Sequence, residues 1–338
     1  MNVPKSSLEI SHFPVMLKEV TKNCFPLEGN SFIDCTFGGG GYSRELLKFS
    51  NTRVIALDRD NSVTARAELI KKKFPERFSF FNNKFSDLEK ILNKNFKADA
   101  IIFDLGLSSF QLLDYTRGFS FKSKSKIDMN MGLASISAEY VLNNYSENNL
   151  KLILKLLGEE SEAHKIVKNI IKARDIKKIS TVSQLVEIIE KSKKKDYKKK
   201  INVCTKTFQA LRIFVNKETS ELINGITAAT KFVKSGGKII VISFHSIEDK
   251  IVKYYFTNYS KNKSNPSRYQ PEEKKNEFIF FENYNKKIIK PSADEIINNP
   301  PSRSAKLRFA TRNKNEFKEI IEFKDKFRKY LNLEGINA

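Results

Sequence analysis

The sequence predicts an α/β fold with a mostly parallel sheet, helices on both faces of that sheet, and an inserted all-helical domain. The first hundred residues alternate short apolar segments with amphipathic ones of helical period. A long central stretch then has helical periodicity alone, and the alternation returns near residue 205. Alternating strands and helices indicate βαβ units, which build parallel sheets covered by helices.

Four strands are expected in the first part of the chain, each followed by a helical segment. They are predicted at 31–37, 53–58, 77–83 and 98–106. These runs are rich in β-branched and aromatic residues, which is typical of buried parallel strands. Open sheets of this kind bind ligands at the carboxyl ends of their strands. The residues that follow each run are therefore the first candidates for a functional site.

The central segment, 111–204, has apolar residues at helical spacing and no clear strand. Ser180 or Thr181 is expected to cap the last of its helices. We interpret this segment as an inserted helical domain for substrate recognition. The α/β domain is then discontinuous, and its two parts are 1–110 and 205–338.

After the insertion, helices and strands alternate again. The predicted elements are one or two helices at 207–234, a strand at 236–244, a helix at 246–256 and a polar loop at 257–285. Two apolar segments follow, at 286–291 and 305–312. They are expected to pair as an antiparallel hairpin or to lie as neighbouring edge strands.

The charge balance points to a polyanionic partner such as a nucleic acid. The 338 residues include 61 Lys and Arg against 39 Asp and Glu, a net charge of +22. A basic excess of this size favours binding to phosphate backbones, although a general bias toward lysine would produce it as well. Seven lysines within 191–200 are interpreted as a solvated loop, with RNA contact as the alternative.

Neither a membrane nor a metal is expected. No apolar run reaches the length of a membrane span, and the first residues do not resemble a signal peptide. The three cysteines and three histidines have no metal-ligand or disulfide spacing. We therefore expect a cytoplasmic protein without a structural metal.

Four consecutive glycines, Gly38 to Gly41, lie between the first strand and a helix. This arrangement lets backbone N–H groups at a helix N-terminus approach a ligand. Asp58 ends the second strand 20 residues after Gly38, where an acidic side chain binds ribose hydroxyls in nucleotide sites. We expect Gly40 and Gly41 to contact a cofactor, and Gly38 and Gly39 to shape the turn.

A dinucleotide and S-adenosylmethionine are the two cofactor classes to weigh. The dinucleotide motif needs a third glycine or alanine, but Ser43 or Arg44 stands at that position. A phosphate loop would need Gly-Lys-Ser/Thr, which is absent from the loop sequence. S-adenosylmethionine has no pyrophosphate and does not require either pattern. A glycine turn without a ligand is the remaining alternative.

A second group of candidates follows the fourth strand, in "DLGLSSFQLLDYTRGFSF" (104–121). Asp104 ends the strand, where reacting groups meet in an open sheet. Ser109 provides a hydroxyl in the loop, and Gln111 can both donate and accept hydrogen bonds. Phe119 is a candidate for stacking on a base, although aromatic residues at this spacing are more often in a core.

A third group lies in "ISFHSIEDKIVK" (242–253). Ser246 and Asp249 have the spacing of a capping pair for the next helix. His245 ends a parallel strand, so it either contacts substrate or completes the turn.

Seven segments occur in the order seen in the bacterial 16S rRNA cytosine-N4 methyltransferases, the RsmH family, formerly called MraW. They are "HFPVMLKEV", "IDCTFGGGGYSRELL", "DLGLSSFQLLDYTRGFSF", "IDMNM", "TFQALRIFVNKE", "GGKIIVISFHSIEDKIVK" and "SRSAKLR". The chain resembles this family from residue 12 to about residue 312. It departs where Tyr42 replaces a frequent histidine and where Lys206 replaces a frequent arginine.

The resemblance implies a Rossmann-like class I methyltransferase domain with a helical insertion. It also implies S-adenosylmethionine as the methyl donor and a decoding-region cytosine of 16S rRNA as the acceptor. The small ribosomal subunit is the expected partner, and the choice between free rRNA and the assembled subunit as substrate stays open. Asp58 would bind the ribose, and Phe85 would lie beside the adenine. Matched motif by motif, the implied cofactor contacts are Gly40, Gly41, Tyr42, Asp58, Phe85, Asp104 and Gln111.

Catalysis by such an enzyme needs an acceptor near the cytosine amine, because the lone pair of that nitrogen is delocalised into the ring. Asp104 is the first candidate for this acceptor, and His245 and Ser109 are the others. Whether Asp104 serves chemistry or only the cofactor stays open. The expected RNA contacts are Arg117, Phe119, Arg212, Arg303 and Lys306.

Two other functions are weighed against this one. A DNA amino-methyltransferase would carry Asp/Asn/Ser-Pro-Pro-aromatic at the end of the fourth strand, whereas this chain has "DLGL" (104–107). A non-catalytic RNA-binding assembly factor would not need the glycine loop, Asp58 and Asp104 together.

Overall fold

The structure is a computed structural model of the chain, and it describes residues 14–27, 29–193, 202–261 and 278–338. Most of the lysine-rich run at 191–200 and most of the predicted loop at 257–285 lie outside these residues. The chain divides into two compact units. The first comprises residues up to Gly106 together with Thr227–Glu319, and the second comprises Leu107–Ile226 and Ile320–Ala338.

Within the described residues of the first unit, seven strands form one sheet in the order β3-β2-β1-β4-β5-β7-β6. The strands are β1 (Ser31–Asp34), β2 (Arg53–Leu57), β3 (Phe78–Phe81), β4 (Ala98–Asp104), β5 (Val233–Ser243), β6 (Phe281–Tyr284) and β7 (Lys306–Arg312). The first five pair in parallel, whereas β7 runs antiparallel to both β5 and β6. The predicted mostly parallel sheet is confirmed.

Helices surround this sheet. They are α1 (Leu17–Cys24), α2 (Gly41–Leu46), α3 (Thr64–Lys73), α4 (Leu88–Ile91), α12 (Ser246–Asn258) and α13 (Ala293–Asn298). Apolar side chains of α1, α2 and α3 form one core with those of the sheet, as Val20, Leu46, Ile70 and Ile102 show. Burying these side chains is the main driving force for the α/β packing.

The regular elements in the described residues of the second unit are helices. Its helices are α5 (Ser109–Leu113), α6 (Ala138–Asn144), α7 (Glu147–Leu157), α8 (Ala163–Ile176), α9 (Val182–Ser192), α10 (Thr205–Asn216), α11 (Glu218–Phe232), α14 (Ile321–Lys326) and α15 (Arg328–Glu334). The last residues of α11, beyond Ile226, belong to the first unit. Thr181 caps α9 through a capping box with Gln184, as the sequence predicted.

Two buried carboxylates hold parts of the second unit together. Glu334 in α15 accepts hydrogen bonds from the backbone N–H groups of Thr219 and Ser220, at the start of α11. Burial raises the pKa of Glu334 to about 7, although these hydrogen bonds act in the opposite direction. Elsewhere, Lys193 Nζ lies 2.7 Å from Glu160 Oε2, and the Glu160 side chain is only 1% exposed.

The strand at Phe281–Tyr284 was missed, because the polar loop predicted for 257–285 covers it. It is four residues long, and its first residue is fully buried while the next two are exposed. A short edge strand of this kind has little apolar pattern. The predicted hairpin is also only partly present. Ile289 makes a single antiparallel bridge to Leu307, while β7 pairs with β5 and β6.

Candidate active site

Three carboxyl groups lie at the carboxyl edge of the parallel strands. Asp34 ends β1, Asp58 follows β2, and Asp104 ends β4. Residue 34 pairs with Ile102 across the β1–β4 ladder, so the ends of these two strands are nearly level. The edge where an open α/β sheet binds its ligands is therefore unusually acidic.

The glycine loop joins β1 to α2 with two left-handed residues. Gly38 has φ 50° and Gly40 has φ 72°, so Gly38 shapes the turn, as predicted, and Gly40 shapes it as well. A Cβ on Gly40 would lie 2.7 Å from the ring of Phe37, and one on Gly41 would lie 2.6 Å from Pro14. These glycines are therefore required by the backbone conformation and by the packing around the loop.

Asp58 ties this loop to the second strand. Its carboxylate accepts the N–H of Gly38 at 2.7 Å and the N–H of Asp60 at 2.8 Å. Burial raises the pKa of Asp58 to about 6. The residue is half-buried, and each carboxylate oxygen has a second lone pair. Asp58 can therefore hold the loop and still accept a hydrogen bond from a ligand hydroxyl.

Asp34 was not among the residues selected from the sequence. It is fully buried, and it accepts a hydrogen bond from the hydroxyl of Ser43 at 2.7 Å. Burial raises its pKa to about 6, while the bonds from Ser43 and Thr36 lower it. The signal that identifies it is an acid directly after two apolar residues within a predicted buried strand, since such groups are rarely buried without a partner.

Asp104 is fixed by two contacts. Its backbone N–H donates to Thr36 Oγ1 at 2.7 Å, and its Oδ2 lies 3.1 Å from the hydroxyl of Tyr42. Its other oxygen, Oδ1, is buried and has no hydrogen-bond partner. Most buried polar atoms are satisfied, so an unpartnered carboxyl oxygen at a strand end indicates a place for a ligand donor.

The pKa of Asp104 is raised to about 8. Burial is the largest cause, and the hydrogen bond with Tyr42 acts against it. The acidic groups Asp34, Glu248 and Glu295 raise the pKa further. Strong pKa shifts of this kind are concentrated at functional sites.

The peptide group between Val15 and Met16 is held from both sides. The hydroxyl of Tyr42 donates to the Val15 carbonyl at 2.5 Å, and the Met16 N–H donates to Glu295 Oε1 at 2.6 Å. Met16 adopts a left-handed conformation at φ 53°, which is uncommon for a residue with a side chain. Glu295 and the 15–16 peptide were not predicted as parts of the site, because the residues that meet here are far apart in the sequence.

Phe85 is half-buried, and its ring packs edge-on against Phe103 with 5.2 Å between ring centroids. The neighbouring Asn82 donates to the backbone carbonyl of Asp58 at 2.9 Å. Phe85 thus follows β3 at the edge that carries Asp58, as a contact to an adenine would require.

His245 is the N-cap of α12. Its Nδ1 accepts the N–H of Glu248 at 3.5 Å, and Glu248 completes the capping box by accepting the N–H of His245. The predicted capping pair of Ser246 and Asp249 is therefore wrong. Asp249 forms ion pairs with Arg308 at 2.7 Å and Lys306 at 3.4 Å, whose attraction lowers its pKa despite burial.

His245 Nε2 is buried and has no hydrogen bond, although it lies 3.0 Å from Glu248 Oε1. The ring N–H does not point at this oxygen, so the close contact is not a hydrogen bond. His245 therefore has a structural role in the cap and one nitrogen that remains available for another partner.

The expected RNA contacts differ in how accessible they are. Arg303 is exposed in a short 3₁₀ turn before β7, whereas Lys306 is partly engaged by Asp249. In the second unit, the guanidinium of Arg212 donates two hydrogen bonds of 2.9 Å to the carboxylate of Glu218. Arg117 donates to the carbonyl of Asn130 at 2.7 Å.

Phe119 requires a correction. Its ring is 4% exposed and lies beneath the guanidinium of Arg117, 5.4 Å from the ring centroid. A buried ring has no free face for a base, so this phenylalanine belongs to the core of the second unit.

Ser109 and Gln111 lie at the start of α5. Ser108 caps this helix, and the side chain of Gln111 accepts the Ser108 N–H at 3.0 Å to complete a capping box. Gln111 is buried, with 7% exposed, and Ser109 is half-buried. The carbonyl oxygen of the Gln111 amide is therefore already used within its own helix.

These residues fit a cofactor that combines a ribose, an adenine and a cationic amino acid portion. Asp58 retains acceptor capacity, Phe85 offers a partly exposed ring, and Asp104 Oδ1 is a buried acceptor without a donor. A cationic group is the natural partner for a buried carboxyl that is surrounded by other acids.

In the part of the chain that the structure describes, no helix has the length and apolar character needed to cross a bilayer.

Comparison with known proteins identifies relatives over most of the chain. The model of the MraW methylase family matches residues 9–313. A protein of Ehrlichia ruminantium (strain Welgevonden), named ribosomal RNA small subunit methyltransferase H, is 42% identical over 301 residues, covering 88% of this chain and 98% of the relative. The protein of the same name from Orientia tsutsugamushi (strain Ikeda) is 40% identical over 305 residues, covering 88% and 97%.

Proposed function

Because the chain belongs to the MraW methylase family, we propose that it transfers a methyl group from S-adenosylmethionine to N4 of a cytosine in the decoding region of 16S rRNA. The family match and the names of the relatives support RNA methylation as the reaction. One structural observation carries the proposal furthest. Asp104, whose buried Oδ1 has no hydrogen-bond partner, ends β4 beside Tyr42 of the glycine-loop helix.

The cofactor is proposed to lie along the carboxyl edge of β1, β2 and β4. The glycine loop before α2 would offer backbone N–H groups, Asp58 would accept a ribose hydroxyl, and Phe85 would pack beside the adenine. Bound S-adenosylmethionine supplies a methyl group that is already activated as a sulfonium. The protein therefore needs to align the acceptor and exclude competing nucleophiles.

The cytosine amine is the poorer of the two reactants, because its lone pair is delocalised into the ring. An acceptor beside its N–H groups favours the pyramidal nitrogen and stabilises the positive charge that develops during transfer. Asp104 is the proposed acceptor. His245, the second candidate, is less suited to this role, because its Nδ1 accepts the Glu248 N–H and its Nε2 then carries the ring hydrogen. The base must leave its stack to reach this carboxyl, one oxygen of which is buried.

We further propose that the substrate is the RNA within the small ribosomal subunit and that the reaction takes place in the cytoplasm. The net charge of +22 supports strong, salt-dependent attraction to a phosphate backbone. The exposed Arg303 and the partly exposed Lys306 are the proposed backbone contacts in the first unit. Comparing protein-free 16S rRNA with 30S subunits as acceptors tests this choice.

The test of the function is methyl transfer to small subunits from a strain that lacks this modification. Digestion to nucleosides and mass analysis should detect N4-methylcytidine, and a methyl group on any other atom would refute the proposal. An Asp104→Ala variant that binds S-adenosylmethionine but transfers no methyl group would assign Asp104 to the chemistry. Loss of cofactor binding in that variant would place Asp104 among the cofactor contacts instead.

A further inference from the structure

The hydroxyl of Tyr42 has two acceptors but only one hydrogen. It lies 2.5 Å from the carbonyl oxygen of Val15 and 3.1 Å from Asp104 Oδ2. A carbonyl can only accept, so the shorter contact requires that Tyr42 donates to Val15. The contact with Asp104 is then a hydrogen bond only if Asp104 carries a proton and donates it to the phenol oxygen.

The Val15 carbonyl is not free to turn away from Tyr42. It belongs to the same peptide group as the Met16 N–H, which donates to Glu295 Oε1 at 2.6 Å. The peptide is planar, so fixing its N–H fixes its carbonyl as well. Glu295 is therefore a positioning residue, because it fixes the Val15 carbonyl in the place where Tyr42 donates its single hydrogen.

The groups around Asp104 favour its neutral form. Burial and the acids Asp34 of β1, Glu248 of α12 and Glu295 of α13 raise the pKa of Asp104 to about 8. A hydrogen bond donated by the phenol of Tyr42 would lower this pKa, but the single hydrogen of that phenol is donated to Val15. The buried Oδ1 without a donor adds to the cost of a full negative charge.

We propose that Asp104 holds a proton in the cofactor-free protein, shared with Tyr42, and releases it to solvent when the cationic cofactor binds. The inference rests on the proposed function, which supplies the cationic ligand. A neutral carboxyl and a cation become a carboxylate–cation pair, and one proton passes to the buffer. In the bound state the Asp104 carboxylate is a competent acceptor for the cytosine amine.

Calorimetry measures this proton directly. S-adenosylmethionine is titrated into the full chain at pH 7.5 in phosphate and in Tris, whose ionisation enthalpies differ. The dependence of the observed enthalpy on the buffer should correspond to release of about 0.5 to 1 proton per site, decreasing toward zero above about pH 9. Binding with no proton release at pH 7.5 would overturn the inference and leave the proposed function standing. Absence of binding would instead refute the proposed function.

Variants locate the proton. Asp104→Asn is isosteric with the neutral acid, so any cofactor binding that it retains should release no proton. Glu295→Gln keeps an acceptor for the Met16 N–H but removes one negative charge, so release at pH 7.5 should decrease. Glu322→Gln removes an exposed acid that is not part of the proposed cofactor site, so it is the control, and its proton release should equal that of the wild type. Undiminished release from Asp104→Asn would contradict the assignment.

S-adenosylhomocysteine provides a control without any mutation. It lacks the sulfonium charge of the methyl donor and should therefore displace a smaller fraction of a proton. Equal release by both ligands would show that the sulfonium charge is not what displaces the proton, and that result would count against the inference.

Discussion

Single residues at the carboxyl edge of the sheet are constrained by both conformation and packing, and Gly40 illustrates this. It has φ 72°, and a Cβ at this position would lie 2.7 Å from Phe37 and 2.8 Å from Ile70. Gly236 has a similar φ of 81° but no atom within 4 Å of its Cβ position. A side chain at Gly236 would therefore carry only the conformational cost of a left-handed backbone. A side chain at Gly40 would carry that cost and the cost of steric crowding.

We expect Gly40→Ala to lower the free energy of unfolding by about 2 to 5 kcal/mol, the sum of left-handed strain and overpacking. Gly236→Ala should cost only about 1 to 2 kcal/mol, because strain alone acts there. Urea denaturation of the cofactor-free protein measures both. Equal losses would mean that the ring of Phe37 moves aside at no cost.

At the residue scale, sequence reasoning found Asp58 and Asp104 because both end predicted parallel strands, and ligands bind there. It did not find Glu295, whose partner Met16 is 279 residues away, since pairing over that separation leaves no local pattern. It also misjudged Phe119, because spacing does not distinguish a buried ring from a stacking one.

In the second unit, two lysines at the end of α9 form ion pairs that differ in burial and therefore in their expected contribution to stability. Lys191 pairs with Glu187 on the surface, and both side chains are more than half exposed, at 71% and 64%. Two residues later, Lys193 pairs with the buried Glu160 and donates to the carbonyl of Val203 at 2.8 Å. The sequence alone presents both lysines as members of one basic run.

Replacing Lys193 by Met should therefore lower the free energy of unfolding by about 3 to 5 kcal/mol, because it leaves a buried carboxylate unpaired. Lys191→Met, the matched control, should cause no measurable change. If Lys193→Met does not fold, the double variant with Glu160→Gln should recover part of the loss. Equal stability of the two single variants would show that the buried pair contributes nothing.

Element prediction from sequence succeeded where a physical pattern was strong and failed where it was weak. The five parallel strands were found because each lies in a segment rich in β-branched or aromatic residues, and the Thr181 cap was found because its residue type is characteristic. The cap of α12 was assigned to Ser246, whereas His245 provides it, since histidine is not a usual capping residue. The strand at Phe281–Tyr284 had no alternation to reveal it.

For the whole molecule, buried and half-buried acids determine how stability depends on pH. The folded-state pKa values of Asp34 and Asp58 are about 6, that of Glu334 about 7 and that of Asp104 about 8, all above their ordinary values. The folded protein therefore binds more protons than the unfolded chain between about pH 4 and pH 8. Their contribution to stability is present at low pH and is lost as the pH rises through these values.

The free energy of unfolding of the cofactor-free protein should accordingly decrease from about pH 5 to about pH 8. Urea titrations across this range measure the slope. Glu334→Gln should make the slope shallower, whereas Glu322→Gln, an exposed glutamate in the same C-terminal segment, should leave it unchanged. Stability that increases over this range would contradict the assignment of these pKa values.

The 15–16 peptide also has a consequence for biosynthesis. Tyr42 and the glycine loop are synthesised early, but the carboxylate that fixes Met16 is residue 295. At about 5 to 20 residues per second, roughly 250 further residues take about 13 to 50 s to translate. For most of its synthesis, a nascent chain therefore contains the glycine loop but lacks Glu295, one of the acids that surround Asp104. Chains that terminate before residue 295 should consequently remain inactive, even though every glycine of the loop is present.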